Sequence, residues 1–110
     1  LSDKPGVTTL EQLDDVVDAE RSSGRRWWVL FSERFGNRAV SEAVRRARAG
    51  TIGRVVDVVG LGPHSLLADQ RPDWFWDPER NGSPLVDIAS HQFEQFLAFT
   101  GAMDARILSS

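Results

Sequence analysis

Asn81-Gly82-Ser83-Pro84-Leu85-Val86-Asp87-Ile88-Ala89-Ser90-His91-Gln92-Phe93 is the stretch on which the reading of this chain turns. Pro84 suits the first turn of a helix, where its missing N–H would be unpaired anyway. Leu85, Ile88, Ala89, Phe93, Phe96 and Phe99 then recur at helical spacing, and Gly101 supplies the stop. On such a helix Asp87 and His91 project from one face, one turn apart. A carboxylate within reach of an imidazole can raise its pKa and fix its tautomer, which turns a histidine into a proton-transfer group. The plainer alternative is a surface ion pair contributing ~0.2–0.5 kcal/mol. Two features favour the first reading: the pair sits beside the apolar stripe, and the helix follows a Gly-Ser-Pro turn, where a pocket can form.

Three further candidates come from outside that helix. Arg71-Pro72-Asp73-Trp74-Phe75-Trp76 is an aromatic loop able to wall a small polar ligand. Arg71 could grip a carboxylate or a hydroxyl and Trp74 could stack on a sugar ring, although aromatic burial alone explains Phe75 and Trp76 equally well. Lys4 stands just before Pro5, either as a solvated loop lysine or as a cation set to hold a hydroxyl or carbonyl oxygen. His64 follows an expected strand end, where side chains line clefts, and a partly exposed loop histidine is the competing view. The spacing of His64 and His91 carries no metal-ligand signature, so no metal site is expected.

Along the rest of the chain, Thr8-Thr9-Leu10-Glu11 reads as a capping box that opens a helix ending at Ser22-Ser23-Gly24. The apolar run from Arg26 to Arg34 predicts a strand covered on both faces. Val40, Ala43, Val44 and Ala47 predict a second amphipathic helix, stopped by Gly50. On it, Arg45, Arg46 and Arg48 read as a solvated face in an acidic chain. Arg54–Gly60 and Met103–Leu108 predict further strands, with a long irregular stretch punctuated by Pro63, Pro72, Pro78 and Gly82 between them. Gly60-Leu61-Gly62 is not a dinucleotide fingerprint, because the third glycine is missing and Pro63 interrupts the helix that should follow.

Composition narrows the options. At 110 residues the chain suits one domain at most, and 41% apolar content can supply a core. A net charge of −3 argues against a nucleic-acid footprint and gives no attraction to a membrane surface. There is no Cys, hence no disulfide framework, which fits a reducing, cytoplasmic setting. No apolar run approaches the ~20 residues that span a bilayer. The start at Leu1-Ser2-Asp3-Lys4 reads like the tail of a strand entering a turn, so an internal piece of a longer protein is expected.

Taken together, Asp3-Lys4-Pro5, the helix from Thr8, Phe31-Ser32-Glu33-Arg34-Phe35, Ala49-Gly50-Thr51-Ile52-Gly53, Arg71-Pro72-Asp73-Trp74 and Gly82-x4-Asp87-x3-His91 resemble the glucose–fructose oxidoreductase / inositol dehydrogenase (Gfo/Idh/MocA) family. Their order and spacing carry the resemblance over nearly the whole chain. It implies an α/β (α+β) fold: the end of a nucleotide-binding Rossmann domain over residues 1–35, then over 36–110 the start of an α/β substrate domain with an open, mostly antiparallel sheet. The phosphate-binding glycine loop would then precede Leu1. The resemblance further implies NAD or NADP as cofactor, with Lys4 and Pro5 near the nicotinamide, and Lys4, Asp87 and His91 as the catalytic set. His91 would be the proton acceptor, with Asp87 orienting substrate and tuning it. His64, Arg71 and Trp74 would meet a sugar or polyol substrate. Ser83-Pro84 departs from the family pattern, where glycine and a bulkier residue are more usual.

The expectation is therefore an NAD(P)-dependent oxidoreductase of a secondary alcohol, inactive as this piece alone, and a homo-oligomer when whole. The alternative is a non-catalytic sugar-binding sensor or interaction module on the same framework.

Overall fold

Thr9 opens the first helix, and its hydroxyl accepts from Gln12 N. The computed structural model describes residues 1–62 and 64–109. Pro63, read above as loop punctuation, and Ser110, the last residue of the expected second domain, lie outside them. Helix α1 covers Leu10–Ser23 and ends at Gly24, whose φ of 66° allows its N–H to reach Glu20 O at 2.9 Å. The expected capping box is therefore displaced by one residue: Gln12 Oε1, not Glu11, accepts from Thr8 N at 2.8 Å.

α1 is the crossover between two short strands. β1 (Ser2–Asp3) pairs in parallel with β2 (Val29–Leu30), Ser2 opposite Val29 and Asp3 opposite Leu30. Gly6, at φ 82°, packs its backbone onto the Trp27 ring and Val29, where a Cβ would lie 2.6 Å from the ring. The strand expected to run to Arg34 stops at Leu30. Its partner β1 is two residues long, so the ladder has nothing to continue against. Ser32–Phe35 instead forms a single turn, α2, with Phe35 N donating to Phe31 O at 3.0 Å.

Helix α3 (Arg38–Arg48) is capped by Asn37, whose side chain accepts from Ala39 N and Val40 N. It buries Val44 and Ala47, as its apolar spacing predicts. Arg45 and Arg46 stay exposed and both hold Glu42, whose carboxyl is pulled down to about 2 by those two hydrogen bonds. Two 3-10 turns, Ala68–Gln70 and Asp73–Trp76, lead to α4 (Pro78–Asn81), which Asp77 caps. The expected single helix from Pro84 is two: α5 (Ser83–Asp87) and α6 (Ala89–Thr100), separated at Ile88. α6 lies against α2, α3 and α5. An Arg34–Glu94 ion pair fastens α2 to α6.

Neither Arg54–Gly60 nor Met103–Leu108 is a strand, and an antiparallel sheet is not formed among the described residues. Strand hydrogen bonds need an adjacent extended backbone, and what borders both stretches is helix α6, through Gln92, Phe93, Phe96 and Leu97. Gly60 and Gly62 cross Gln92 of α6 instead. The described architecture is thus mainly helical around a two-stranded parallel sheet. Its core is thin: Val44, Ala47 and His91 are the described residues with under a tenth of their surface exposed. The radius of gyration is 15.9 Å, against about 13 Å expected for a compact domain of this length. No described helix is long and apolar enough to cross a membrane.

Candidate active site

The break at Ile88 builds the site. Ile88 N still donates to Pro84 O at 2.9 Å, but His91 N turns to Ile88 O at 3.2 Å. The Asp87 carbonyl is thereby released from the helical ladder. Two side chains take it up: Lys4 Nζ at 3.0 Å and Ser90 Oγ at 3.1 Å. Lys4 Nζ also donates to Asp87 Oδ1 at 2.5 Å. The turn after β1 therefore joins the α5–α6 junction through residues 83 positions apart. An ammonium has three N–H donors, so one remains for another oxygen. The Lys4–Pro5 peptide is cis.

Asp87 is thus the partner of Lys4 and not of His91. The expected Asp87–His91 pair does not form, because Asp87 ends α5 and its carboxylate turns toward the lysine. His91 is nearly sealed, at 3% exposure. Its Nε2 lies 4.0 Å from Glu33 Oε1, and its Nδ1 is buried without a hydrogen-bond partner among the described residues. Burial pushes the His91 pKa below the ordinary histidine value. Glu33 works against that shift, the positive charge of Lys4 and nearby His64 work with it, and Asp3 opposes it. The sequence predicts an elevated value from Asp87; burial reverses the direction. Burial thus favours the neutral ring, whose free nitrogen lone pair is able to accept a proton.

His64 stacks on His91, with ring centres 6.5 Å apart and planes 7° from parallel. Its Nε2 is 2.8 Å from the same Glu33 oxygen, and its Nδ1 is 3.2 Å from Gly62 O. Phe31 meets the His91 ring edge-on. Glu33 has no role in the sequence reading. It sits in the quoted Phe31–Phe35 stretch, but nothing in its spacing points to residues 31 and 58 positions later.

Lys4, Pro5, His64, Arg71, Trp74 and Asp87 line one cleft of about 290 Å³, which Asp3 and Arg80 also border. Six sequence candidates therefore share one wall system, while His91 is not part of its lining and stacks on one member, His64. Arg71 is held flat on Phe75, 4.4 Å from the ring centre, with its Nε on Leu66 O at 3.0 Å. Asn81 Nδ2 anchors the aromatic loop on Phe75 O at 2.8 Å. His64, Arg71 and Phe75 also border a larger, more apolar hollow of about 730 Å³ beside the first. Ser83, at the departure from the family pattern, has a φ of 74°, a conformation that favours glycine. Groups of three or more metal-ligating side chains are absent among the described residues.

The model of the GFO/IDH/MocA C-terminal domain matches residues 40–108. The chain belongs to the Gfo/Idh/MocA oxidoreductase family. It is similar to the crystal structure of a "putative oxidoreductase" from Erwinia carotovora atroseptica SCRI1043, at 43% identity and a TM-score of 0.90. That similarity covers 97% of this chain and 32% of the other, so the chain spans about a third of that protein's length. No curated protein matches.

Proposed function

We propose that the full-length protein is an NAD(P)-dependent oxidoreductase acting on a secondary alcohol of a sugar or polyol. In this reading residues 1–35 close a Rossmann domain and 36–110 begin an antiparallel-sheet substrate domain, in a homo-oligomeric, cytoplasmic enzyme. The observation that carries the proposal is the Lys4–Asp87 pair on a cleft wall, with the buried His91 imidazole stacked on His64 of the same wall. The remaining N–H of Lys4 suits an oxygen of substrate or nicotinamide carboxamide, and Pro5 borders the same space, so the donors present fit the cofactor. When bound, the nicotinamide supplies the hydride acceptor.

The chain's own groups do the rest. Lys4 holds the substrate oxygen and stabilises the negative charge that develops there. Asp87 keeps the ammonium in place through both its carboxylate and its carbonyl. His91 takes the hydroxyl proton at Nε2, the ring edge that faces Glu33. Arg71, stiffened by Phe75 and Leu66, and Trp74 grip the rest of the substrate. In the full-length protein, His91→Ala is expected to lower polyol turnover by about 10²–10⁴-fold and to leave cofactor affinity unchanged. Near-normal turnover in that variant refutes the assignment.

The 3% exposure of His91 favours one second reading, a non-catalytic sugar-binding sensor on the same framework. Full-length protein that binds nicotinamide cofactor yet oxidises no member of a broad polyol panel supports it over the enzyme.

A further inference from the structure

We propose that Glu33 is the middle member of a proton relay running from His91 Nε2 through Glu33 Oε1 to His64 Nε2 and on to solvent. The inference rests on the dehydrogenase reading above and extends it to the fate of the proton.

His91 can take a proton but has no visible way to lose it. Its side chain is 4% exposed, and its Nδ1 has no hydrogen-bond partner among the described residues. Among the described residues, a proton on this ring finds an acceptor at the Nε2 edge. Glu33 is the acceptor that faces it there, at 4.0 Å, so the transfer needs the two groups to close to hydrogen-bond range. The same oxygen is already 2.8 Å from His64 Nε2. Two imidazoles thus converge, by the same ring atom, on one carboxylate oxygen. Exposure rises along the line: 4% for the His91 side chain, 31% for Glu33, 36% for His64. The other carboxylate oxygen receives Gln95 Nε2 at 3.4 Å, which ties the middle member to α6.

Every step moves one proton between two bases. The substrate O–H breaks as an N–H forms at His91 Nε2. That N–H breaks as an O–H forms at Glu33 Oε1. The O–H breaks in turn as an N–H forms at His64 Nε2, and the exposed His64 imidazolium releases a proton to water or buffer. The charged groups facing His91 are Glu33 from α2, Asp3 and Lys4 from the β1 turn, and His64 from the long loop. Among them Lys4 is engaged by Asp87, and Asp3 is exposed at the strand end. Glu33 is the carboxylate between the buried ring and the exposed one.

The test uses the full-length protein with Glu33→Gln, which keeps the shape and cannot carry a proton, and with His64→Asn at the exposed end. In dilute buffer both variants are expected to turn over polyol about tenfold or more slowly, with KM unchanged for Glu33→Gln, which does not line the cleft, and added imidazole is expected to restore the rate. Wild-type rates in dilute buffer, or a loss that imidazole does not relieve, overturn the relay. An NMR titration of the His91 ring needs no turnover: Glu33→Gln is expected to lower its midpoint, and an unmoved midpoint also overturns the proposal. Failure of the unsubstituted protein to oxidise any polyol defeats the dehydrogenase reading instead, and the titration then still reports whether Glu33 and His91 are coupled.

Discussion

Around Lys4, Asp87 and His91, side chains from three separated segments meet and hold one another. Arg54–Gly60 and Met103–Leu108, by contrast, run without a ladder and leave Val56, Val59, Ile107 and Leu108 77–80% exposed. Both regions carry clear sequence patterns. The difference lies in where each pattern finds its partner. A cap, a glycine stop or a lysine reaching a freed carbonyl is completed inside this chain. A β pattern specifies only that a neighbouring strand should exist. The site region is therefore fastened, while the extended stretches leave several apolar side chains largely exposed.

Substitutions can break or sharpen that contrast. After His91→Ala, the largest effect is expected from Lys4→Ala in the full-length protein, with turnover down by about 10²–10³-fold. Val59→Thr in the extended stretch is expected to leave turnover within about twofold, since no packed contact is lost there. Steady-state kinetics on the two variants decide it, and comparable losses would erase the distinction.

Stability sharpens the same comparison. Val44→Ala removes two methyl groups from the thin core and is expected to cost about 1.5–2 kcal/mol. Val56→Ala, at an exposed position, is expected to stay within about 0.5 kcal/mol. Urea unfolding of both variants measures the gap. An equal cost at the two positions would mean that Val56 is packed as firmly as Val44.

The smallest effect is a pH dependence. His91 has a depressed pKa when folded, so the unfolded chain binds its proton first as pH falls. Stability is expected to be unaffected above about pH 6.5, the unfolded histidine value, and to decline below it until the folded His91 also titrates. His91→Gln should remove that decline. Denaturation midpoints across pH 5–8 measure it, and a decline of equal size in the variant would assign it elsewhere.

Much of this was legible from spacing alone, and the misses share a cause. Helix α3 was readable because the Val40, Ala43, Val44 and Ala47 spacing and the Gly50 stop are local signals. The Lys4 and Asp87 candidates do meet, on a cleft that also takes in His64, Arg71 and Trp74. Periodicity could not reveal the break at Ile88, since Leu85, Ile88 and Ala89 fit one continuous stripe. That break redirects Asp87 from His91 to Lys4. Glu33 was invisible as a site residue because its partners, His64 and His91, reach it only through tertiary folding. The direction of the His91 shift was missed for the same reason: burial is a property of the assembled fold, and the carboxylate four residues away has turned to Lys4.

The most direct measurement is the position of a bound polyol in the full-length protein with its nicotinamide cofactor. The reacting hydroxyl is expected within about 2.6–3.2 Å of both Lys4 Nζ and His91 Nε2. A polyol seated in the cleft with its hydroxyl on Lys4 but out of reach of His91 Nε2 would contradict the account.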